Sequence, residues 1–145
     1  MEKSLDMEYT NIFRSVNKSL SGEDIMMLSP LQLAYIGDAV YELLVRTHLL
    51  NYNLKVNELH KAATKYVKAK AQSDIIHKIE VFLTDEEKSY VKKGRNTKTN
   101  SSPKNGDLLD YKYATGFECL FGYLYLTNQE GRLGEIFDLI LKLEI

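Results

Sequence analysis

The sequence predicts an all-α fold of six or seven helices, and three observations carry that expectation. Apolar residues recur at three- and four-residue spacing along most of the chain. Only two prolines occur in 145 residues. No stretch alternates polar and apolar residues between hairpin turns, as half-buried strands would.

The elements follow in order. Met7 to Leu20 reads as a short, weakly amphipathic helix ending near Ser21-Gly22. Ser29-Pro30 opens the next, because serine caps free N–H groups and proline suits the first helical position. That helix should run to about Leu50, where Asn51-Tyr52-Asn53 breaks the period. Val56 to Lys70 places Leu59, Ala62, Ala63 and Tyr66 on one face and is expected to continue through Ile75, Ile76, Ile79 and Val81, bending near Ala71 to Ser73. Thr84-Asp85-Glu86-Glu87 is a capping box. The short helix it opens should stop at Gly94, leaving Arg95 to Asp107 as a loop. Leu109 to Thr127 carries Tyr113, Phe117, Leu120, Phe121 and Leu124 at core spacing, and Leu133, Ile136, Phe137, Ile140 and Leu141 repeat the pattern in a last helix.

No linker, repeat or low-complexity tract divides the chain, so a single domain over 1–145 is expected. A lone cysteine, Cys119, excludes an internal disulfide and suits a reducing compartment. No signal peptide and no apolar run of membrane length occurs, so a cytoplasmic protein with no membrane partner is expected. The formal net charge of −1 does not announce a nucleic-acid partner, but its distribution does. From Lys88 to Lys104 there are five lysines, one arginine and no acid. A solvated loop is the plainer explanation of such a run.

Two acids stand out against apolar helical surroundings. Asp38 lies in Leu33-Ala34-Tyr35-Ile36-Gly37-Asp38-Ala39-Val40-Tyr41-Glu42. Gln32, Asp38, Glu42 and Arg46 share one arc of that helix, so a solvated stripe with a Glu42–Arg46 pair competes with a functional reading. Asp38 sits at the edge of the stripe beside Gly37, and two adjacent poor helix formers point to close packing and a working acid. Glu118 has only small neighbours along its helix at Ala114, Thr115 and Gly122, which leaves room for a metal ion and its waters. Here too a close helix crossing, with Glu118 turned to solvent, is the competing explanation. Carboxylates from two packed helices can share one Mg²⁺, which keeps several of its waters. With a basic loop between them, such a pair suits metal-dependent cleavage of a nucleic acid. His48, His60, His77 and Cys119 have no zinc-ligand spacing, and no phosphate-binding glycine loop is present.

Around these acids the sequence resembles the ribonuclease III endonuclease domain, and within it the Mini-ribonuclease III family. Ile36-Gly37-Asp38-Ala39-Val40 is similar to the LGDAV part of the signature, and Phe117-Glu118 to the segment with the second essential acid. Leu59-His60-Lys61, Ala69-Lys70-Ala71-Gln72, Lys93-Gly94-Arg95-Asn96 and Pro103-Lys104-Asn105 resemble the Mini-ribonuclease III family in particular. Leu31, Ala34 and Thr115 stand where full-length ribonuclease III has acids, so only Asp38 and Glu118 carry over as catalytic, metal-holding residues. The resemblance implies a two-fold homodimer, Mg²⁺-dependent cleavage of both strands of double-stranded RNA, and a role in maturing a 23S ribosomal RNA precursor. No double-stranded-RNA-binding domain is expected to follow Ile145, so the catalytic domain is expected to hold its own substrate. Lys92, Lys93, Arg95, Lys98 and Lys104 are then phosphate contacts, since duplex RNA is recognised mainly by shape. Tyr35, Tyr41 and Leu44 are candidates for partner contact on a helix rich in apolar surface. The rival readings are a ribonuclease III-like RNA-binding module without activity and a helical interaction protein with no nucleic-acid partner.

Overall fold

Ser29 caps the helix that organises the site. Its Oγ accepts from the Gln32 backbone at 3.1 Å, while the Gln32 side chain accepts in return from the Ser29 N–H at 2.8 Å. In the computed structural model, which describes residues 16, 21–98 and 107–144, this helix is the second of seven. The helices are α1 (Gly22–Met27), α2 (Pro30–Leu49), α3 (Val56–Val67), α4 (Ala69–Ile79), α5 (Asp85–Arg95), α6 (Leu108–Leu126) and α7 (Glu130–Leu141). One 3-10 turn, Glu80–Phe82, joins α4 to α5, and no strand occurs among the described residues. No helix among them is long and apolar enough to cross a membrane. The helix expected over Met7–Leu20 lies outside the described residues except for Val16, which is in a turn.

Three local expectations are corrected. Ser21-Gly22 begins a helix instead of ending one, because Ser21 and Asp24 form a second capping box. The stretch after Val56 is two helices, not one bent near Ala71 to Ser73. Lys68 adopts extended backbone, with ψ 152°. Two carbonyls at the end of α3 are taken by side chains from other helices. The Tyr41 hydroxyl donates to Tyr66 O at 3.0 Å and the Gln72 amide to Val67 O at 3.0 Å, so the break leaves them satisfied. Gly94 does not stop α5, which continues through it to Arg95. The absence of a side chain there serves packing, since a Cβ would lie 2.7 Å from the Gly116 Cα.

Helix α6 is the axis of the bundle, with α2, α4 and α5 packed closely round it and α7 in lighter contact. Phe117, Leu120, Phe121 and Leu124 are fully buried. Tyr41 reaches them from α2 and meets Phe117 edge-on, with ring centroids 4.7 Å apart. Tyr41 is therefore core and not partner surface, because its ring fills the bundle and its hydroxyl is used at the end of α3. Leu44 packs against the same core, while Tyr35 is 83% exposed. Asn128, at φ 63°, turns the chain from α6 into α7 in the left-handed conformation favoured just past helix ends. Arg132 on α7 then clasps α5, with Nε 2.9 Å from Glu87 Oε2 and Nη2 2.8 Å from Phe82 O.

Candidate active site

Asp38 and Glu118 are brought together by a crossing of α2 and α6 in which main chain touches main chain. A Cβ on Gly37 would fall on the Glu118 carbonyl oxygen and lie 2.7 Å from Gly122 N. A Cβ on Gly122 would fall on the Leu33 carbonyl. Only glycines permit this approach, which accounts for a helix-weakening residue in the middle of α2. The sequence left a functional slot and a close crossing as competitors for the small residues around Glu118. The structure shows the close crossing, with Glu118 half-buried beside Asp38 and not turned out to solvent.

The two carboxyl groups are unequal. Asp38 is exposed, while Glu118 is half-buried between the buried Phe117 and Cys119. Burial pushes the Glu118 carboxyl up to about 8, with the neighbouring charge and hydrogen bond of Asp38 adding to the rise and the Gln72 amide opposing it. Two carboxylates that oppose each other's ionisation are a pair whose strain a divalent cation relieves.

Gln72 lies beside Glu118, and sequence reasoning left it without a role. It is 2% exposed. Its Nε2 donates to Val67 O, which fixes the orientation of the amide, and its Oε1 is buried with no hydrogen-bond partner among the described residues. An acceptor left so costs about 1–3 kcal/mol. A signal was present in the sequence, because Gln72 occupies the first place of the stripe Gln72, Ile75, Ile76, Ile79, where an apolar residue would otherwise stand.

The two carboxyl groups form an all-oxygen donor pair. That pair fits Mg²⁺, a hard cation that binds through one or two carboxylates and its own waters. Among the described residues no group of three or more His, Cys, Asp or Glu side chains could hold a metal, which speaks against a zinc-type cage. The buried Thr115 hydroxyl donates to Tyr111 O at 3.0 Å.

The basic residues gather where α5 ends. Gly94 packs on Gly116, Thr115 and Cys119, so the last turn of α5 lies on the stretch of α6 that carries Glu118. Lys92 and Lys98 are exposed. Lys93 is also exposed and sets its ammonium 4.5 Å from the Tyr90 ring centroid. Arg95 lies over the Tyr113 ring at 5.4 Å, and Tyr113 in turn meets the His77 ring at 4.1 Å. Cations at a helix C-terminus also complement its dipole, a structural use compatible with a phosphate-binding one. Lys104 lies outside the described residues.

Comparison with known proteins gives a consistent result. Residues 31–129 match the model of the ribonuclease III domain. A Mini-ribonuclease 3 of Clostridium tetani is 47% identical over 88% of this chain and 86% of its own. A Mini-ribonuclease 3 of a Thermoanaerobacter species is 50% identical over 83% of this chain and 85% of its own. A protein of Fusobacterium nucleatum solved by X-ray crystallography superposes with a TM-score of 0.75 at 35% identity, covering 82% of this chain and 96% of that one.

Proposed function

Since the chain belongs to the ribonuclease III family and resembles its Mini-ribonuclease III members in particular, and is thereby an endoribonuclease, we propose that it cuts both strands of double-stranded RNA with Mg²⁺ held between Asp38 and Glu118. The observation that carries this reading is the opposed carboxyl pair at the α2–α6 crossing. When bound, the cation supplies a water of lowered pKa and stabilises charge on the phosphate oxygens. Asp38 and Glu118 hold and place it, and the half-burial of Glu118 shields one side of the site from bulk water. Lys92, Lys93, Arg95, Lys98 and Lys104 neutralise phosphates and set the duplex against the acids without reading bases. Tyr113 steadies the Arg95 guanidinium for that task.

Cutting both strands needs two sites, and a two-fold homodimer supplies them. An exposed apolar stripe on α1 and α2, with Met26, Met27, Leu31 and Tyr35, supports such an interface. The substrate we propose is a 23S ribosomal RNA precursor in the cytoplasm, processed by a single domain that spans the chain.

The test is cleavage of a long RNA duplex by wild type, Asp38→Asn and Glu118→Gln, each with Mg²⁺ and with chelator. Wild type should cut with Mg²⁺ alone, and both variants should bind duplex but leave it intact. A variant that cuts at near wild-type rate removes that acid from the site. Wild-type binding without cleavage would favour the inactive RNA-binding module. Light scattering should give twice the chain mass, and a fully active monomer would refute the dimer.

A further inference from the structure

Resting on that reading of the metal site, we propose that Gln72 is a positioning residue of the site, whose buried amide oxygen accepts a hydrogen bond from the water shell of the cation held by Asp38 and Glu118. Three observations meet at this side chain. It is 2% exposed on the first turns of α4, on a stripe otherwise made of isoleucines. One N–H is committed to Val67 O at 3.0 Å, so the carbonyl end of the amide cannot exchange places with the nitrogen without losing that bond. The oxygen is left as the buried side-chain atom without a hydrogen-bond partner among the described residues.

The position of the amide explains what the oxygen is for. The amide N–H side of Gln72 meets the Glu118 carboxyl, which places Oε1, on the same small planar group, at the margin of the site. With a cation seated between them both carboxyls are ionised and have no proton to offer an acceptor, and no other donor among the described residues reaches Oε1. Water bound to a divalent cation is a donor, and Mg²⁺ keeps several of its waters when carboxylates hold it. Such outer partners orient metal ligands, and removing one typically lowers metal affinity tenfold to a hundredfold. Gln72 thus joins the end of α3 to the site: its amide nitrogen holds the Val67 carbonyl and lies against Glu118, and its oxygen is left to accept from the water shell.

Two substitutions separate these roles. Gln72→Met and Gln72→Glu both lose the bond to Val67 O, but only Gln72→Glu keeps an oxygen acceptor at the same reach. Mg²⁺ and Mn²⁺ affinities, measured by calorimetry and by Mn²⁺ magnetic resonance without RNA, should fall about tenfold in Gln72→Met and stay at or above wild type in Gln72→Glu. Urea unfolding of the metal-free proteins should weaken both variants alike. In cleavage assays Gln72→Met should lose kcat at limiting Mg²⁺, regain it at high Mg²⁺ and keep its KM for duplex. Should Gln72→Met fail to fold, Gln72→Asn, which shortens the reach by one methylene, should show the same fall in affinity. Equal metal affinity in wild type and Gln72→Met, or an equal fall in Gln72→Met and Gln72→Glu, would overturn the assignment. Asp38→Asn in the same titration keeps the two readings apart. If it binds metal as wild type does, the metal site itself is wrong, whatever Gln72 does.

Discussion

Replacing Gly37 by alanine tests the crossing on which the site depends. The new Cβ would lie 2.7 Å from both the Glu118 carbonyl carbon and Gly122 N, and closer still to the Glu118 oxygen. Carbon atoms rest about 3.5–4.0 Å apart, so α2 and α6 must part by about 1 Å. The atoms in the way are backbone, so no rotamer change relieves them. In an exposed helix the same substitution would stabilise by roughly 1 kcal/mol. Overpacking of this kind costs about 1–3 kcal/mol and occasionally more. The clash is with backbone, which puts the cost at the upper end of that range, about 3 kcal/mol; less the helix gain of about 1 kcal/mol, a net loss of about 2 kcal/mol is expected by urea unfolding. Any folded fraction should also cleave poorly, since a displacement of about 1 Å in a catalytic group can cost on the order of a hundredfold in rate. Gly134→Ala is the matched control, because a Cβ there meets nothing within 4 Å and should add roughly 0.5–1 kcal/mol of stability. If Gly37→Ala is as stable and as active as wild type, the crossing does not set the distance between the acids.

Three further outcomes are expected. Glu118 titrates in the folded, metal-free protein at about 8, above its ordinary 4.5, so the folded state holds a proton that the unfolded chain gives up between those values. Its contribution to stability is present below about pH 4.5 and is lost as pH rises to about 8; Glu118→Gln should flatten the wild-type curve over that interval, and an unaltered curve would refute the burial argument. Arg132→Ala leaves Glu87, 4% exposed, without its guanidinium, which should cost about 3 kcal/mol in urea unfolding, whereas a loss below about 0.5 kcal/mol would mean that the clasp is idle. Alanine in place of Lys92, Lys93 and Lys98 should reduce the slope of log affinity for duplex RNA against log salt by about one for each phosphate no longer neutralised; an unchanged slope would mark the run as a solvated surface.

The two acids were legible because each breaks a local rule. Gly37 and Asp38 are poor choices inside a helix, and Glu118 stands among small residues on an otherwise apolar one. The helix starts at Ser29 and Thr84 were equally legible, since capping is a contact between residues three apart. What the sequence hid depends on partners far along the chain. Nothing near Lys68 marks the break there; the carbonyls it frees are answered by Tyr41, 25 residues away from Tyr66, and by Gln72. Gly94 looked like a stop signal because its partner, Gly116, lies on another helix. Tyr41 could face core or partner until α6 was seen to lie against it. Gln72 was visible as a polar residue on an apolar stripe, but its unanswered oxygen is a property of three dimensions only.

The crossing of α2 and α6 has a consequence for how the protein lives with its metal. Asp38 and Glu118 are 80 positions apart in the chain (118 − 38), so no local segment can assemble the pair. A cation seated between them would act as a removable cross-link that holds distant stretches of chain together in the folded state alone. Each tenfold excess of free cation over its dissociation constant would then add about 1.4 kcal/mol to folding stability. The nuclease would be inert in any partly folded form and loosest when starved of its cation, so that its threat to cellular RNA and its own solidity would rise and fall together.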